Sequence, residues 1–179
     1  MLTNKCVCGA VYFVMIAGTV ILGCSACPEG SLRAAPAADP QAAGTIEPCK
    51  LLTPIQVATV LPNNDGGTVT NSGGSFMKGV DAYQCSYGDR KTSLMTVILN
   101  AAKDKENFSW IKPSEGEHRD HRKIDVGDAG WVYGSPDDLK VEVVLGLTVI
   151  DLELMAPGAQ GKSAAMIELA RVIAQRLRK

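Results

Sequence analysis

The alternation of apolar and polar residues predicts strands in the middle of the chain and helices at either side of them. Thr53-Pro54-Ile55-Gln56 combines a capping box with proline at the first helical position, so a short helix is expected over residues 53–61. Apolar residues that alternate with polar ones or form short runs predict strands at 83–87, 93–99, 131–133, 140–145 and 148–154.

Two further helices complete this pattern. One is expected over residues 101–111, and the other is indicated by apolar residues at three- and four-residue spacing near the end of the chain: Met166, Leu169, Ala170, Ile173 and Leu177. Residues 63–74 contain four glycines and three asparagines and are predicted to form a long loop. The expected order is α-β-β-α-β-β-β-α, an α+β fold in which an antiparallel sheet is flanked by helices.

Composition narrows the class of protein. The chain has 179 residues, 46% of them hydrophobic and 21% charged, with a formal net charge of −1. This length predicts one folded domain, and the apolar content argues against global disorder. Because a general nucleic-acid binder would carry a basic excess, we expect no nucleic-acid partner.

The N-terminus has the pattern of an export signal. Lys5 precedes an uncharged, mostly apolar run over residues 6–23, which is typical of a secretory signal peptide. Ile21-Leu22-Gly23-Cys24 resembles the lipobox of bacterial lipoproteins. That resemblance implies cleavage after Gly23 and lipidation of Cys24. An uncleaved membrane anchor and ordinary signal-peptide cleavage within residues 34–38 are the alternatives.

The amino-acid composition changes after the predicted signal peptide, and this change divides the chain into segments. Residues 25–46 are rich in Ala, Pro, Gly and Ser and are predicted to form a flexible tether. We therefore expect a signal peptide at 1–23, a lipidated cysteine and tether at 24–46, and one α+β domain at 47–179. Ser25 resembles the sorting residue of outer-membrane lipoproteins, so the expected location is the bacterial cell envelope, and its outer membrane if the cell has two.

The cysteines fit an exported protein. Loss of the signal peptide and lipidation of Cys24 would leave Cys27, Cys49 and Cys85. In an oxidising compartment Cys49 and Cys85 are expected to form a disulfide that encloses the glycine-rich segment. A redox-active thiol is the alternative, and a zinc site is disfavoured because the folded part has no CxxC. Cys27 is either free or paired with another chain.

Three short motifs resemble those of a known family. Residues 47–53 (EPCKLLT), 84–87 (QCSY) and 126–130 (VGDAG) are similar to the PCxLLT, CxY and GxGDxA elements of small bacterial envelope lipoproteins of unknown function. The resemblance covers residues 47–179. It implies a disulfide between the two motif cysteines and a fold similar to the extracellular sensor domains of bacterial receptor Ser/Thr kinases, and it carries over no catalytic residue.

Few residues indicate chemistry. His118 and His121 form an HxxH within a run of mixed charges, which is more typical of a solvated loop than of a metal site. Residues 158–163 (GAQGKS) partly resemble a phosphate-binding loop, but Ala156 stands where that motif has glycine. A turn followed by a helix start explains them better. We expect no catalytic residue, no metal and no cofactor.

These patterns predict a lipid-anchored envelope domain that works without catalysis, by binding a small ligand or an envelope protein. Its other expected partner is the membrane that holds the anchor. The alternatives are an envelope hydrolase that uses His118 or His121, and a structural lipoprotein of an envelope assembly.

Overall fold

A computed structural model describes residues 46–89, 91–102, 105–114, 116 and 121–179. Its helices are α1 (Pro54–Ala58), α2 (Phe108–Ile111) and α3 (Ser163–Leu177), and 3-10 turns lie at Pro48–Lys50, Lys105–Asn107 and Ala159–Lys162. Its strands are β1 (Thr68–Met77), β2 (Val80–Gly88), β3 (Ser93–Asn100), β4 (Arg122–Lys123), β5 (Ala129–Gly134), β6 (Asp138–Leu145) and β7 (Thr148–Met155).

The strands of the described ranges form one antiparallel sheet in the order β1-β2-β3-β7-β6-β5-β4. The hairpins β2–β3 and β6–β7 are joined side by side through β3 and β7, so the most apolar strands lie at the centre. The expected α+β class with an antiparallel sheet is confirmed.

One face of the sheet, called the inner face here, is buried. A row of side chains crosses it from Cys85 through Thr96, Leu152 and Val141 to Val132, each directly opposite the next in the strand register. Together with α1 and α3 this face forms the hydrophobic core. From α3 it receives the predicted apolar stripe: Met166, Leu169, Ala170 and Ile173 are buried.

The two ends of the domain are held by hydrogen bonds, and those of the predicted capping box are among them. Thr53 Oγ1 accepts a hydrogen bond from the Gln56 amide, and the Gln56 side chain accepts one from the Thr53 amide, so the capping box forms. The helix is shorter than predicted, however, and ends at Ala58. At the other end Arg176 of α3 donates to the Lys50 carbonyl over 3.0 Å, which joins the last helix to the first turn.

Two segments were predicted wrongly. Within residues 63–74, expected to be a loop, β1 begins at Thr68 and pairs with β2 through three register shifts. Residues 101–111, expected to be one helix, contain only a 3-10 turn and the four-residue α2 in their described part. The two-residue β4 was not predicted at all.

The expected signal peptide and nearly all of the expected tether, including Cys24 and Cys27, lie outside the described residues. Among the residues that are described, no helix is long and apolar enough to cross a membrane.

Candidate functional site

A cleft of about 480 Å³ lies where β4 begins beside β5. Its lining comes from the start of β4, from β5 and β6, and from the turn that leads into α3: His121, Arg122, Val132, Tyr133, Gly134, Leu139, Gln160 and Ser163. Val132 and Leu139 belong to the hydrophobic core, so the cleft joins an apolar floor to polar walls. Its volume is in the range of small-molecule sites.

Backbone hydrogen bonds fix the turn that forms one wall. The Gln160 amide donates to the Pro136 carbonyl over 3.1 Å, and the Gly158 amide donates to Asp137 Oδ1 over 2.9 Å. On the β5 side, Gly134 has φ +136°, and a Cβ there would lie 2.1 Å from the Asp138 carbonyl oxygen. Only glycine fits this position, which turns the chain from β5 towards β6.

An aromatic pair borders the cleft on the far side of β5, because Tyr133 lies opposite Lys140 in the register whereas Val132 lies opposite the core residue Val141. The rings of His121 and Tyr133 are stacked, with centroids 4.0 Å apart and planes 8° from parallel. The Tyr133 hydroxyl donates to Glu142 Oε2 over 3.3 Å. Burial, followed by the negative charge of Glu142, raises the pKa of Tyr133 above its ordinary value. This tyrosine therefore stays neutral at physiological pH.

Three other lining side chains are available to a ligand. Arg122 is exposed and forms no ion pair within the described part of the chain, and Gln160 and Ser163 make no side-chain hydrogen bond there. The register places Arg122 opposite the inner-face residue Val132, whereas Lys123 lies opposite Trp131 of the other face. Neighbouring cations of β4 thus lie on different sides of the sheet.

The second face of the sheet, called the outer face here, carries a group of charged residues near this cleft. Asp151 lies directly opposite Glu142, and Lys140 lies opposite Glu153 and forms a 3.1 Å ion pair with it. Burial lowers the pKa of Lys140, but its hydrogen bond with Glu153 and the surrounding negative charge outweigh this, so the net shift is upward.

Asp151 is the most perturbed of these groups. Burial, reinforced by the negative charge of Glu142, raises its pKa to about 6. Its Oδ1 atom is buried and has no hydrogen-bond partner in the described residues. Within the described ranges, no group of three or more His, Cys, Asp or Glu side chains could hold a metal ion. The outer face therefore lacks the geometry of a cation site in its described part.

The expected disulfide is present. Cys49, in the first 3-10 turn, is bonded to Cys85 of β2, and their Cα atoms are 5.2 Å apart. Gly67 has φ +88°, and a Cβ there would lie 2.8 Å from the Cys85 sulfur and 2.5 Å from the Tyr87 ring. The chain passes close over the disulfide at this glycine. Burial raises the pKa of Tyr87 to about 12, as suits a core tyrosine.

The structure gives positions for one of the two histidines and for the residues that resemble a phosphate-binding loop. His121 lines the cleft, and His118 lies outside the described residues. Lys162 donates from Nζ to the Val60 carbonyl over 2.6 Å, and this lysine is thereby engaged in the fold rather than directed at a phosphate. Ser163 is the first residue of α3 rather than its cap.

The sequence did not reveal the cleft. Its lining residues come from four separate stretches of chain that meet only after the sheet forms, and their spacing carries no motif.

Comparison with known proteins finds no matching family model, no matching curated protein and no matching solved structure.

Proposed function

We propose that this chain is a lipid-anchored protein of the bacterial envelope whose α+β domain binds a small polar ligand in the cleft beside β5, without catalysis. The cleft carries this proposal. It combines an apolar floor with three side chains that are free to bind within the described residues. Sites for small molecules commonly have this composition.

The anchor is supported by the lipobox-like residues 21–24 and by the expected tether that follows them. Two or more acyl chains are enough for stable attachment, since each buried methylene contributes about 0.8 kcal/mol. A disulfide within the domain agrees with an oxidising compartment. The motif resemblance to small envelope lipoproteins belongs to the same proposal.

Attachment is tested by intact-mass measurement of the membrane fraction. We expect the full chain to lose residues 1–23 and to gain the mass of a lipid group, and we expect Cys24→Ser to abolish both changes. Cys27→Ser is the matched control and should remain in the membrane. An unmodified, uncleaved chain in the wild type would contradict the anchor.

Ligand binding is tested on the lipidated full-length protein in detergent with a soluble fragment library, by following backbone amide signals. We expect hits to shift Gly134, Gln160 and Ser163 while leaving Val97 of the outer face unchanged. Gln160→Ala should weaken these hits, and Gln175→Ala, an exposed glutamine near the other end of α3, should not. Hits that shift other regions only would contradict a binding role for the cleft.

The hydrolase alternative needs an imidazole that exchanges protons. The double variant His118→Ala/His121→Phe removes that chemistry while keeping an aromatic ring beside Tyr133. Full complementation of a deletion strain under envelope stress would exclude the hydrolase. Crosslinking followed by co-purification tests the remaining alternative, a structural assembly lipoprotein, which should yield a stoichiometric partner.

A further inference from the structure

We propose that the ligand of the cleft is a small organic anion, a carboxylate or phosphate attached to an apolar or planar group, and that Arg122 recognises its charge. This inference rests on the proposed ligand-binding function and adds to it the chemical class of the ligand and the residue that selects it.

The first argument is the sign of the charge around the cleft. Its described lining contains the guanidinium of Arg122 and no carboxylate. The adjoining turn carries Asp137, whose carboxylate already accepts a hydrogen bond from the Gly158 amide. The charged residues of the outer face, by contrast, are mostly acidic. Among the described residues, the cleft side thus offers an anion a positive charge with no carboxylate in the lining.

The second argument is that Arg122 is uncommitted. Within the described residues Arg122 has no ion pair, although Glu142 and Glu153 lie on strands β6 and β7 of the same sheet. The register explains this, because Arg122 lies opposite Val132 and so faces away from Glu142 and Glu153. A guanidinium in this position can bind a carboxylate or phosphate through two parallel hydrogen bonds.

The third argument concerns the rest of the ligand. Val132 and Leu139 form an apolar floor, and the Gln160 and Ser163 side chains offer hydrogen bonds on the facing wall. These groups would hold an apolar or planar body beside the anionic group. A bare inorganic ion would use only Arg122 and leave this wall without a role.

The test uses pairs of probes that differ in charge but little in shape. The lipidated full-length protein in a zwitterionic detergent is titrated with benzoate and with benzamide, and separately with phenyl phosphate and with phenol, while the amide signals of Gly134, Gln160 and Ser163 are followed. We expect the anion of each pair to bind about tenfold more tightly than its neutral partner. Equal affinity within both pairs would overturn the inference.

The matched variants are Arg122→Gln and Lys123→Gln, which remove one positive charge from the two faces of the same strand. Arg122→Gln should weaken anion binding about tenfold, and Lys123→Gln should change it by less than about twofold. Arg122→Lys keeps the charge but loses the paired hydrogen bonds, so it should fall between them. Equal effects of the two glutamine variants would mean that Arg122 does not select the charge.

A further probe separates two sources of the same anion. Dihexanoylphosphatidylglycerol, used as a monomer, presents a lipid phosphate, whereas phenyl phosphate stands for a soluble one. Tighter binding of either one, sensitive to Arg122→Gln, supports anion recognition and identifies the source. If anions and neutral probes all fail at the cleft while library fragments bind there, the anion inference fails alone. If nothing binds there, the proposed function fails with it.

Discussion

The inner and outer faces of the sheet are built from alternating residues of the same strands, yet the inner face carries aliphatic side chains and the outer face carries charged ones. On the inner face Leu152 and Val141 lie side by side under α1 and α3 and are fully buried. One residue along each strand, Asp151 and Glu142 lie opposite each other on the outer face. A register shift of a single residue would exchange these pairs, so the difference between the faces specifies how the strands align.

Covalent restraint is concentrated on the inner face, where the disulfide holds the first turn against β2. The double variant Cys49→Ala/Cys85→Ala should lower the free energy of unfolding by about 3–4 kcal/mol, because the 36-residue separation of the two cysteines gives the unfolded chain a long loop to close. Urea denaturation monitored by circular dichroism measures this, with Cys27→Ala as a control that should leave stability unchanged. A loss below about 1 kcal/mol would show that packing alone holds the turn.

The packing difference between the faces is tested by two valine-to-alanine substitutions. Val141 is fully buried on the inner face, whereas Val97 is half-buried on the outer face. Val141→Ala should cost about 2–3 kcal/mol, the lost transfer free energy plus a cavity, and Val97→Ala less than about 1 kcal/mol. The same denaturation experiment measures both. Equal losses would mean that the outer face is packed as closely as the core.

The sequence predicted the faces better than it predicted the edges of the sheet. Alternation predicted a strand at 83–87, where Tyr83, Cys85 and Tyr87 of β2 are buried, because burial on one face imposes a period of two. Strand β1 shows no such alternation, since most of its residues are exposed, and pairing with β2 rather than burial accounts for it. Its glycines and asparagines therefore led to the prediction of a loop.

The cleft could not be predicted from the sequence, because its lining residues are far apart along the chain. Arg122 and Gln160 are 38 positions apart in sequence, and their proximity depends on the order β7-β6-β5-β4 and on the turn before α3. The disulfide, by contrast, could be predicted, because two cysteines in one domain are expected to pair if the chain is exported to an oxidising compartment.

The outer face should also make stability depend on pH. Burial raises the pKa of Asp151 to about 6, above its value of 3.8 in an unfolded chain, so the folded state holds this proton more tightly. Asp151 therefore lowers stability as pH rises from about 4 to about 6, on the order of 2 kcal/mol, and the loss persists above that window. Asp151→Asn should be more stable than the wild type by this amount at pH 7.5 and nearly equal to it at pH 4.

Thermal denaturation over pH 3.5–8 measures this effect, with the exposed Asp125→Asn as the matched control. If Asp151→Asn and the wild type keep a constant difference across the range, Asp151 does not titrate as its burial requires.

Asp65 makes the stability of the domain depend on pH in the opposite direction and by a smaller amount. Its carboxylate accepts hydrogen bonds from the amides of Gly88 and Gly67, both over 3.1 Å, and these bonds lower its pKa. Its contribution is therefore present above the unfolded value near 4 and is lost as pH falls below it. Asp65→Ala should cost about 1 kcal/mol at pH 7, because the amide of Gly88 at the end of β2 loses its tie to the glycine-rich segment.

The same pH series separates the two carboxyls. The difference between Asp65→Ala and the wild type should shrink below pH 4, whereas that of Asp151→Asn should grow above it. Asn63→Ala, an exposed change in the same segment, should have little effect at any pH. If Asp65→Ala instead followed the pH dependence of Asp151→Asn, both carboxyls would act on stability through the overall charge of the domain. The proposed contrast would then be wrong: the hydrogen bonds of Asp65 and the outer-face burial of Asp151 would not set their separate pH dependences.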